Sequence, residues 1–458
     1  MPATDVSGDA VVLRPKDSSS IEKSTMRKVT ARLVTLLFVA YLLNFLDRTN
    51  LGIAKLEMAD DLALSDAAFG LGAGIFFVGY AIFEVPSNMI LHKVGPRIWL
   101  ARIMITWGFV ATAMAWVNSE AVFYALRFLL GVAEAGFVPG VLLYLHSWAP
   151  QRYRARFIAM FLVALPLSSV VGNPLGGWLL SQSWFGLASW HLLFVVEGVP
   201  TILVGFVLLA KLTSHPAEAN WLKPDERAWL AREIDDETAA ESAKRGTSTS
   251  AREAFRSRRV LTMCLVYFGT VISVYALAFF LPAMLAAATN GTLSTTAIGW
   301  LTAFPYGIAA VALILISKHS DRRGERRLHY AVPALVGAVG LVIAALTFTS
   351  IPWLALIGIT MGLVGCISSA GAFWSEVSVG LVGAAAALGI ALVNTFGNLG
   401  GFVSPYLSGW LMDTAGEERG GFLSLTLSGV TLALSAGLMI LCGTRQSTRP
   451  RGVEKGAA

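Results

Sequence analysis

Long apolar stretches alternate with short polar ones over most of the 458 residues of the chain. A helix needs about 20 predominantly apolar residues to cross a bilayer, and twelve stretches approach or exceed that length. They lie at 31–53, 67–91, 98–117, 121–145, 154–180, 190–212, 260–288, 297–317, 328–348, 351–376, 381–411 and 421–443. The pattern predicts an all-α polytopic membrane protein with twelve transmembrane helices.

Polar regions flank and divide this apolar pattern. Residues 1–30 carry Ser, Asp, Lys and Pro without periodicity, which is typical of a disordered tail. Between the sixth and seventh apolar stretches, Pro224 followed by Asp225 and Glu226 predicts the start of a helix. The predicted organisation is a tail at 1–30, a six-helix bundle at 31–212, a central loop at 213–257, a second six-helix bundle at 258–443 and a tail at 444–458.

Basic residues cluster in alternate loops between the predicted helices. The loops after the second, fourth and eighth helices contain Lys93, Arg97, Arg102, Arg152, Arg154, Arg156, Lys318, Arg322, Arg323, Arg326 and Arg327. Loops on the other side contain little beyond Lys55 and Arg419. Because positive residues favour the cytoplasmic side of a membrane, we expect both termini to be cytoplasmic.

The composition excludes several function classes. Only 14% of the residues are charged, against about 25% in soluble chains. The net charge of +6 comes from basic residues clustered in the loops and does not indicate nucleic-acid binding. Cys264, Cys366 and Cys442 lie in apolar segments and have neither a disulfide nor a metal spacing. Neither a phosphate-binding Gly-x4-Gly-Lys-Ser/Thr loop nor a nucleophilic catalytic set is visible. We therefore expect a monomer in the lipid bilayer that is not an enzyme and has no cofactor.

Two short patterns occur once in each half of the chain. The loop His92–Arg97 follows the second helix, and Asp321–Arg326 follows the eighth. Pro174-Leu-Gly-Gly-Trp178 ends the fifth helix, and Pro405-Tyr-Leu-Ser-Gly-Trp410 ends the eleventh. Both pairs are offset by about half the chain, so two six-helix repeats are the simplest explanation. Chance recurrence of Gly-Arg loops is the alternative.

Two pairs of charged residues lie inside predicted membrane helices, where a charge is costly and is by default a functional hypothesis. Asp47 and Arg48 are adjacent in the first helix. Arg127 and Glu134 lie two turns apart in the fourth helix and share a face. At about 1.5 Å per residue, Arg48 and Arg127 lie at similar depths and Glu134 about 10 Å further in. A static salt-bridge network between the two helices is the structural alternative.

The basic Gly-Arg loops, the twelve predicted helices and the central polar loop resemble the major facilitator superfamily, whose loop pattern reads Gly-x-x-x-Asp-Arg-x-Gly-Arg-Arg. The second loop departs from it at Ser317, and the first departs at Asn88 and His92. The resemblance implies the major facilitator fold, with its first and fourth helices lining a central cavity. It also implies gating loops formed by Lys93, Gly95, Arg97, Asp321, Arg322, Gly324 and Arg326.

Within that superfamily, the chain is similar to the anion:cation symporter family and especially to its bacterial tartrate-type and aromatic-acid permeases. The matching motifs are Asn44-Phe45-Leu46-Asp47-Arg48-x-Asn50, Gly79-Tyr80-x3-Glu84-Val85-Pro86-Ser87-Asn88, Leu126-Arg127-Phe128-x2-Gly131-x2-Glu134-Ala135-Gly136 and Asn394-x3-Asn398-Leu399-Gly400-Gly401. The similarity covers nearly the whole chain outside the tails. It implies a multi-pass protein of the bacterial inner (cytoplasmic) membrane.

The resemblance assigns proton handling to Asp47 and Glu134 and substrate contact to Arg48. Arg127, at a similar depth to Arg48, is a further candidate for substrate binding. When both carboxylates are ionised, these four charges sum to zero. Protonation of one carboxylate frees an arginine, whose planar fork of donors matches a carboxylate. Proton and organic anion then each bind better when the other is present. Which of the two carboxylates titrates stays open, because coupled sites share their pKa values.

Three further residues match substrate-contacting positions of the family. They are Tyr80, Trp374 and Asn394, although ordinary packing explains Tyr80 and Trp374 equally well. A buried Asn394 needs hydrogen-bond partners and is the stronger candidate. Leu165-Pro166 and Phe45 replace polar residues of the sugar-acid permeases, so the pocket favours a compact or aromatic carboxylate.

The sequence therefore predicts a secondary transporter that takes up a small organic anion with a proton by alternating access. The predicted substrate is a tartrate-like dicarboxylate or an aromatic acid, and sodium is not excluded as the coupling ion. An organic-anion exchanger or exporter is the alternative within transport. A membrane sensor that binds the same ligand without moving it is the alternative from another class.

Overall fold

The computed structural model describes residues 15–183, 186, 188–244, 257–289, 291–378 and 384–442. The helices of the N-terminal half are α1 (Pro15–Val29), α2 (Thr35–Asp61), α3 (Asp66–Val94), α4 (Pro96–Ala113), α5 (Glu120–Glu134), α6 (Phe137–Trp148), α7 (Gln151–Leu162), α8 (Ala164–Leu180) and α9 (Ser189–Lys211). After the central helix α10 (Pro224–Lys244), the C-terminal half contains α11 (Arg258–Ala288), α12 (Thr295–Arg323), α13 (Arg327–Thr347), α14 (Pro352–Ser368), α15 (Ala370–Ser378), α16 (Ala384–Ala415) and α17 (Glu417–Cys442). No strand occurs in these ranges, and the all-α prediction is confirmed.

Eleven helical segments among the described residues are long and apolar enough to cross a membrane. They coincide with eleven of the twelve predicted spans. The remaining predicted span, 381–411, corresponds to α16. Because α16 packs between α3 and α11, we assign it as the remaining crossing.

The N-terminal segment is more ordered than its composition predicts. Residues 1–30 are predicted as a disordered tail, but α1 begins at Pro15 and continues through a π-helical turn, Thr30–Val34, into α2. Tertiary contacts stabilise α1, because it packs against the central helix α10. The ranges 1–14, 245–256 and 444–458 of the predicted tails and central loop lie outside the described residues.

Three of the predicted membrane spans are each divided into two helices. The fourth span is interrupted after Glu134, because Gly136 adopts a φ of +87°, which favours glycine. The fifth span is interrupted at Val163, between α7 and α8, and the tenth at Ser369, between α14 and α15. Discontinuous membrane helices expose helix ends inside the bundle and commonly mark ligand sites. The sequence pattern predicts all three spans as continuous.

The two ends of the bundle differ in how the halves meet. We call the end that carries the Lys28–Glu226 contact the terminal face, and the other end the opposite face. Towards the opposite face, α3 packs against α16 and α8 against α12. Glycines permit this approach, since a side chain on Gly74 would meet the Phe402 carbonyl oxygen at 2.7 Å.

An acidic side chain bridges the halves at the opposite face. Both carboxylate oxygens of Asp413, in α16, accept backbone N–H groups at the start of α3, from Asp66 and Ala67, at 2.9 Å each. Lys55 of α2 forms an ion pair with the side chain of Asp66. The first turn of α3 is therefore held by a cap from the other half of the chain.

Candidate functional site

The centre of the candidate site is an ion pair between the first and fourth membrane spans. Arg48 of α2 donates from Nη2 to Oε1 of Glu134, the last residue of α5. Arg48 is 8% exposed and Glu134 is fully buried. Among the described residues, Arg48 Nε and Glu134 Oε2 have no hydrogen-bond partner. The pair therefore leaves a donor for an anion and an oxygen for a proton.

Asp47 lies next to Arg48 in the chain but contacts a different helix. Its Oδ2 accepts the indole N–H of Trp107, in α4, at 3.1 Å. Asp47 is buried, and it has none of the described ion pairs. A buried carboxyl group with one neutral donor is a candidate for holding a proton.

Arg127 is held by backbone rather than by a carboxylate. Its Nε and Nη2 donate to the carbonyl oxygens of Gly72 and Ala73, in α3, at 3.2 Å each. The residue is 2% exposed. Its donors therefore fasten α5 to α3, while its charge acts on the carboxyl groups of Asp47 and Glu134.

Phe76 lies between the two arginines. Its ring centroid is 4.8 Å from Cζ of Arg48 and 5.1 Å from Cζ of Arg127. The face of an aromatic ring attracts a cation, so Phe76 accommodates both charges while keeping the guanidinium groups apart. The four predicted residues thus share one region, but only Arg48 and Glu134 pair directly.

Other aromatic residues complete the surroundings of Arg48. Its Cζ lies 5.1 Å from the ring centroid of Phe45 and 5.5 Å from that of Tyr80. Nη1 of Arg48 is 3.4 Å from the hydroxyl of Tyr275, in α11 of the other half. The predicted contact residue Tyr80 is therefore beside Arg48, and the site includes both halves of the chain.

Trp374, another predicted contact residue, belongs to an aromatic cluster in the C-terminal half. Its ring meets that of Tyr267 at a centroid distance of 5.0 Å and that of Phe373 at 5.3 Å. Tyr267 and Tyr275 are eight residues apart in α11 and so lie on nearly the same face. This face connects the Trp374 cluster to the side of α11 that reaches Arg48.

Asn394 links the two halves on the terminal-face side of Arg48. Its Nδ2 donates to Oε1 of Glu84, in α3, at 3.0 Å. Glu84 lies one turn after Tyr80 on the same face of α3. Asn394, which is half-buried and predicted to contact substrate, therefore has a carboxyl partner across the interface.

The predicted gating loops lie at the terminal face. Gly95 ends α3 with a φ of +91°, and Nε of Arg97 donates to the Leu209 carbonyl of α9 at 2.8 Å. Lys93 and Arg322 lie in the last turns of α3 and α12. The first loop is thereby fastened within the N-terminal half.

The second loop is built in a similar way. Gly324 ends α12 with a φ of +65°, and Arg326 forms an ion pair with Asp321 at 2.5 Å. Burial alone would raise the pKa of the Glu325 carboxyl group. Hydrogen bonds from the Leu328 backbone and from His329 outweigh it and lower that pKa.

Sequence reasoning missed three aromatic residues of the site. Trp107 binds Asp47, Tyr275 approaches Arg48, and Tyr267 packs on Trp374. An aromatic residue in an apolar span is usually a packing residue. Nothing in the neighbouring sequence therefore distinguishes these three residues from residues of the core. Only the fold brings side chains of α4 and α11 to the charged residues of α2.

Comparisons with known proteins agree with this architecture. The family model described as Major Facilitator Superfamily matches residues 37–405 and 263–458. A protein of Agrobacterium vitis named "Putative tartrate transporter" is 45% identical over 91% of this chain and 96% of its own length. The "Quinolone resistance transporter" of Acinetobacter baumannii is 37% identical over 89% of this chain and 93% of its own length.

The overall shape also matches solved structures. A bacterial homolog of the human lysosomal transporter Spinster, in an inward-facing and occupied conformation, superimposes with a TM-score of 0.71. The alignment covers 91% of this chain and 97% of that one at 19% identity. At this level of identity, the likeness establishes the fold alone.

Proposed function

Because the chain belongs to the major facilitator superfamily and is therefore a membrane transporter rather than an enzyme, we propose that it takes up a small organic anion together with a proton. The substrate we propose is a carboxylate, either a tartrate-like dicarboxylate or an aromatic acid. The observation that carries the proposal is the buried Arg48–Glu134 ion pair beside Tyr80 and Tyr275. The name of the 45% identical relative supports a tartrate-like substrate.

Competition for Arg48 couples the two ligands. While Glu134 is ionised, it holds the guanidinium and an entering carboxylate must displace it. A proton on Glu134 weakens that ion pair and leaves Arg48 free to bind the carboxylate through two parallel hydrogen bonds. When the anion leaves, Arg48 pairs with Glu134 again and the proton is released, so each ligand promotes binding of the other.

The aromatic surroundings suit a compact anion. Phe45, Phe76 and Tyr80 surround the guanidinium, and Tyr275 adds a hydroxyl from the other half. Asn394 provides the amide on the terminal-face side. A short carboxylate held between Arg48 and Asn394 contacts both halves at once, and this is how ligand binding favours movement of one half against the other.

We propose that the terminal face is cytoplasmic, as the basic loops predict. The halves pack closely towards the opposite face, where Asp413 caps α3. In this orientation the access path is closed to the outside, which corresponds to an inward-facing conformation in the bacterial inner membrane. Outward opening then requires the Asp413 contacts to break.

The test is uptake of labelled carboxylates into proteoliposomes with an imposed proton gradient, acidic on the side of substrate addition. A panel of tartrate, other dicarboxylates and aromatic acids identifies the substrate class. We expect uptake of at least one member to follow the proton gradient and to be abolished by Arg48→Ala. A sodium gradient at constant pH serves as the comparison for the coupling ion.

Arg102 provides the matched control. It also lies in a membrane helix, and its guanidinium stacks on Trp99 at 3.9 Å from the ring centroid, near the terminal-face end of α4. Arg102→Ala is expected to retain coupled uptake. Gradient-driven uptake that survives Arg48→Ala contradicts the proposed mechanism.

An exporter is the second candidate, because a 37% identical relative is named for quinolone resistance. An exporter of this kind releases an organic anion or a drug while a proton enters, so substrate and proton cross the membrane in opposite directions. Efflux from preloaded vesicles, driven by external acid, distinguishes this function from symport. Fluoroquinolone and carboxylate arms in the same assay decide between the two substrate classes.

A further inference from the structure

Glu197 is a further buried acidic residue inside the N-terminal half, and it has no hydrogen-bond partner among the described residues. Glu197, in α9, is 3% exposed, and neither of its carboxyl oxygens has a hydrogen-bond partner among the described residues. An isolated buried carboxylate costs several kcal/mol. The Glu197 carboxyl group therefore either carries a proton in this conformation or has its negative charge compensated by a neighbouring group.

The packing of α9 on α4 brings Glu197 to the Asp47 side of the site. A side chain on Gly198 would lie 2.9 Å from the Gly108 carbonyl oxygen, so the two backbones touch one residue after Glu197. Trp107, the donor to Asp47, directly precedes Gly108. The helix crossing thus places Glu197 and the Asp47–Trp107 pair on neighbouring turns.

The charged group that acts on Glu197 is Asp47. Four elements pack on α9, namely α2, α4, α8 and the short apolar 3-10 helix Met114–Trp116. Beside Glu197, α2 contributes the Asp47 carboxyl group, α4 contributes the neutral Trp107 indole and Thr112 hydroxyl, and α8 contributes neutral residues in its described part. The other charged contacts of α9 lie at its ends, where Ser189 and Trp190 donate to Glu57 and Asp61 of α2 and the Leu209 carbonyl accepts from Arg97 of α4. No basic side chain forms one of the described ion pairs with either acid, and the guanidinium groups that act on Asp47 without pairing with it are those of Arg127 and Arg48.

We propose that Glu197 and Asp47 form a second proton-binding pair, separate from the Arg48–Glu134 ion pair. Two nearby carboxyl groups disfavour simultaneous ionisation, and among the described residues the charges of Arg127 and Arg48 act on Asp47 but not on Glu197. The pair therefore keeps at least one proton and titrates as a unit. This inference rests on the proposed transport function for its role, but proton binding itself is independent of transport.

The pair gives the transporter a second proton when the substrate is a dianion. Arg48 and Glu134 account for one proton and one carboxylate. A second negative charge in the bundle needs a second compensating charge, because charges at membrane depth are costly. Protonation of Asp47 supplies it, and before that step the negative charge of Asp47 helps to keep the first proton of the pair on Glu197.

The experiment follows the infrared C=O band of protonated carboxyl groups in the purified, substrate-free protein as pH is raised. We expect Glu197→Gln to remove one component of this band. Asp47→Asn is expected to move the pH midpoint of the remaining Glu197 component, because it removes the neighbouring charge. Glu57→Gln, at the opposite-face end of α2, is the control and leaves the component in place.

Two results overturn the proposal. One is a band unchanged by Glu197→Gln, and the other is a Glu197 component whose midpoint is the same with and without Asp47. Glu197→Asp, which keeps the acid, provides the second variant if Glu197→Gln does not fold. Since no substrate is present, failure here leaves the uptake test with Arg48→Ala unaffected, and failure of that test leaves the infrared result standing.

Discussion

Asp47 and Arg48 are neighbours in sequence, yet their side chains contact different helices. Arg48 reaches α5 and pairs with Glu134, whereas Asp47 turns to α4 and accepts the Trp107 indole N–H at 3.1 Å. Successive residues of a helix point about 100° apart, as 3.6 residues per turn requires. One turn of α2 therefore connects the proposed anion-binding side of the N-terminal half to its proposed proton-binding side.

Arg48→Lys tests whether the fork geometry of Arg48 matters in addition to its charge. Lysine keeps the positive charge but loses the parallel donors that match a carboxylate. Loss of one charge-assisted hydrogen bond costs about 1.5–3 kcal/mol, so we expect the Kd for the anion to rise about tenfold or more. Titration calorimetry or a thermal-shift series at two pH values measures this change. Equal affinity in both proteins would show that charge alone attracts the anion.

Asn394→Ala tests the polar contact between the halves. The substitution removes the hydrogen bond to Glu84 and the proposed amide contact with substrate, so we expect substrate affinity to fall about tenfold. Thr395→Ala is the matched control, because its hydroxyl bonds within its own helix, to the Ala391 carbonyl, at 2.9 Å. Binding that is equally weakened in both variants would indicate a general disturbance of α16.

Asp413→Ala tests the closure at the opposite face. Loss of a helix cap costs about 1 kcal/mol, so we expect the population open at that face to rise about fivefold. A cysteine introduced into the cavity of about 490 Å³ beside Lys55 and Asp413 reports this opening through its rate of labelling by a membrane-impermeant reagent. Asp60→Ala, in the wall of the same cavity, is the control. An unchanged labelling rate in Asp413→Ala would mean that the cap does not hold the halves together.

The sequence predicts the helical class and most spans because membrane helices need long apolar runs, whatever their neighbours are. It also singles out Asp47, Arg48, Arg127 and Glu134, because charges are conspicuous in such runs. The sequence does not predict the break in the helix after Glu134. Glycines are common in membrane helices, and only the φ of +87° distinguishes Gly136 from the other glycines of these helices that continue a regular helix.

Partners across the bundle are the other part that the sequence leaves open. The sequence places Arg127 with the carboxylates, but in the structure its donors bind carbonyls of α3. Trp107 and Tyr275 contribute to the site only because α4 and α11 pack against neighbouring helices. The helical order of α1 also depends on tertiary contacts, because its partners lie about 200 residues away in α10.

Glu226 makes the α1–α10 contact depend on pH. Burial alone would raise the pKa of this carboxyl group, but hydrogen bonds from Lys28, the Lys223 backbone and Ser24 outweigh it and lower the pKa to about 2. A lowered pKa stabilises the folded state above the ordinary value of 4.5, and this contribution is lost as pH falls from 4.5 to about 2. We expect amide hydrogen exchange in α1 to accelerate over that pH range, beyond the intrinsic change, and to be fast already at neutral pH in Glu226→Gln. Asp225→Gln, at the neighbouring exposed position, is the control that keeps α1 protected. Protection of α1 that is equal in Glu226→Gln and in the unsubstituted protein at neutral pH would assign the docking to the apolar contacts of α1 instead.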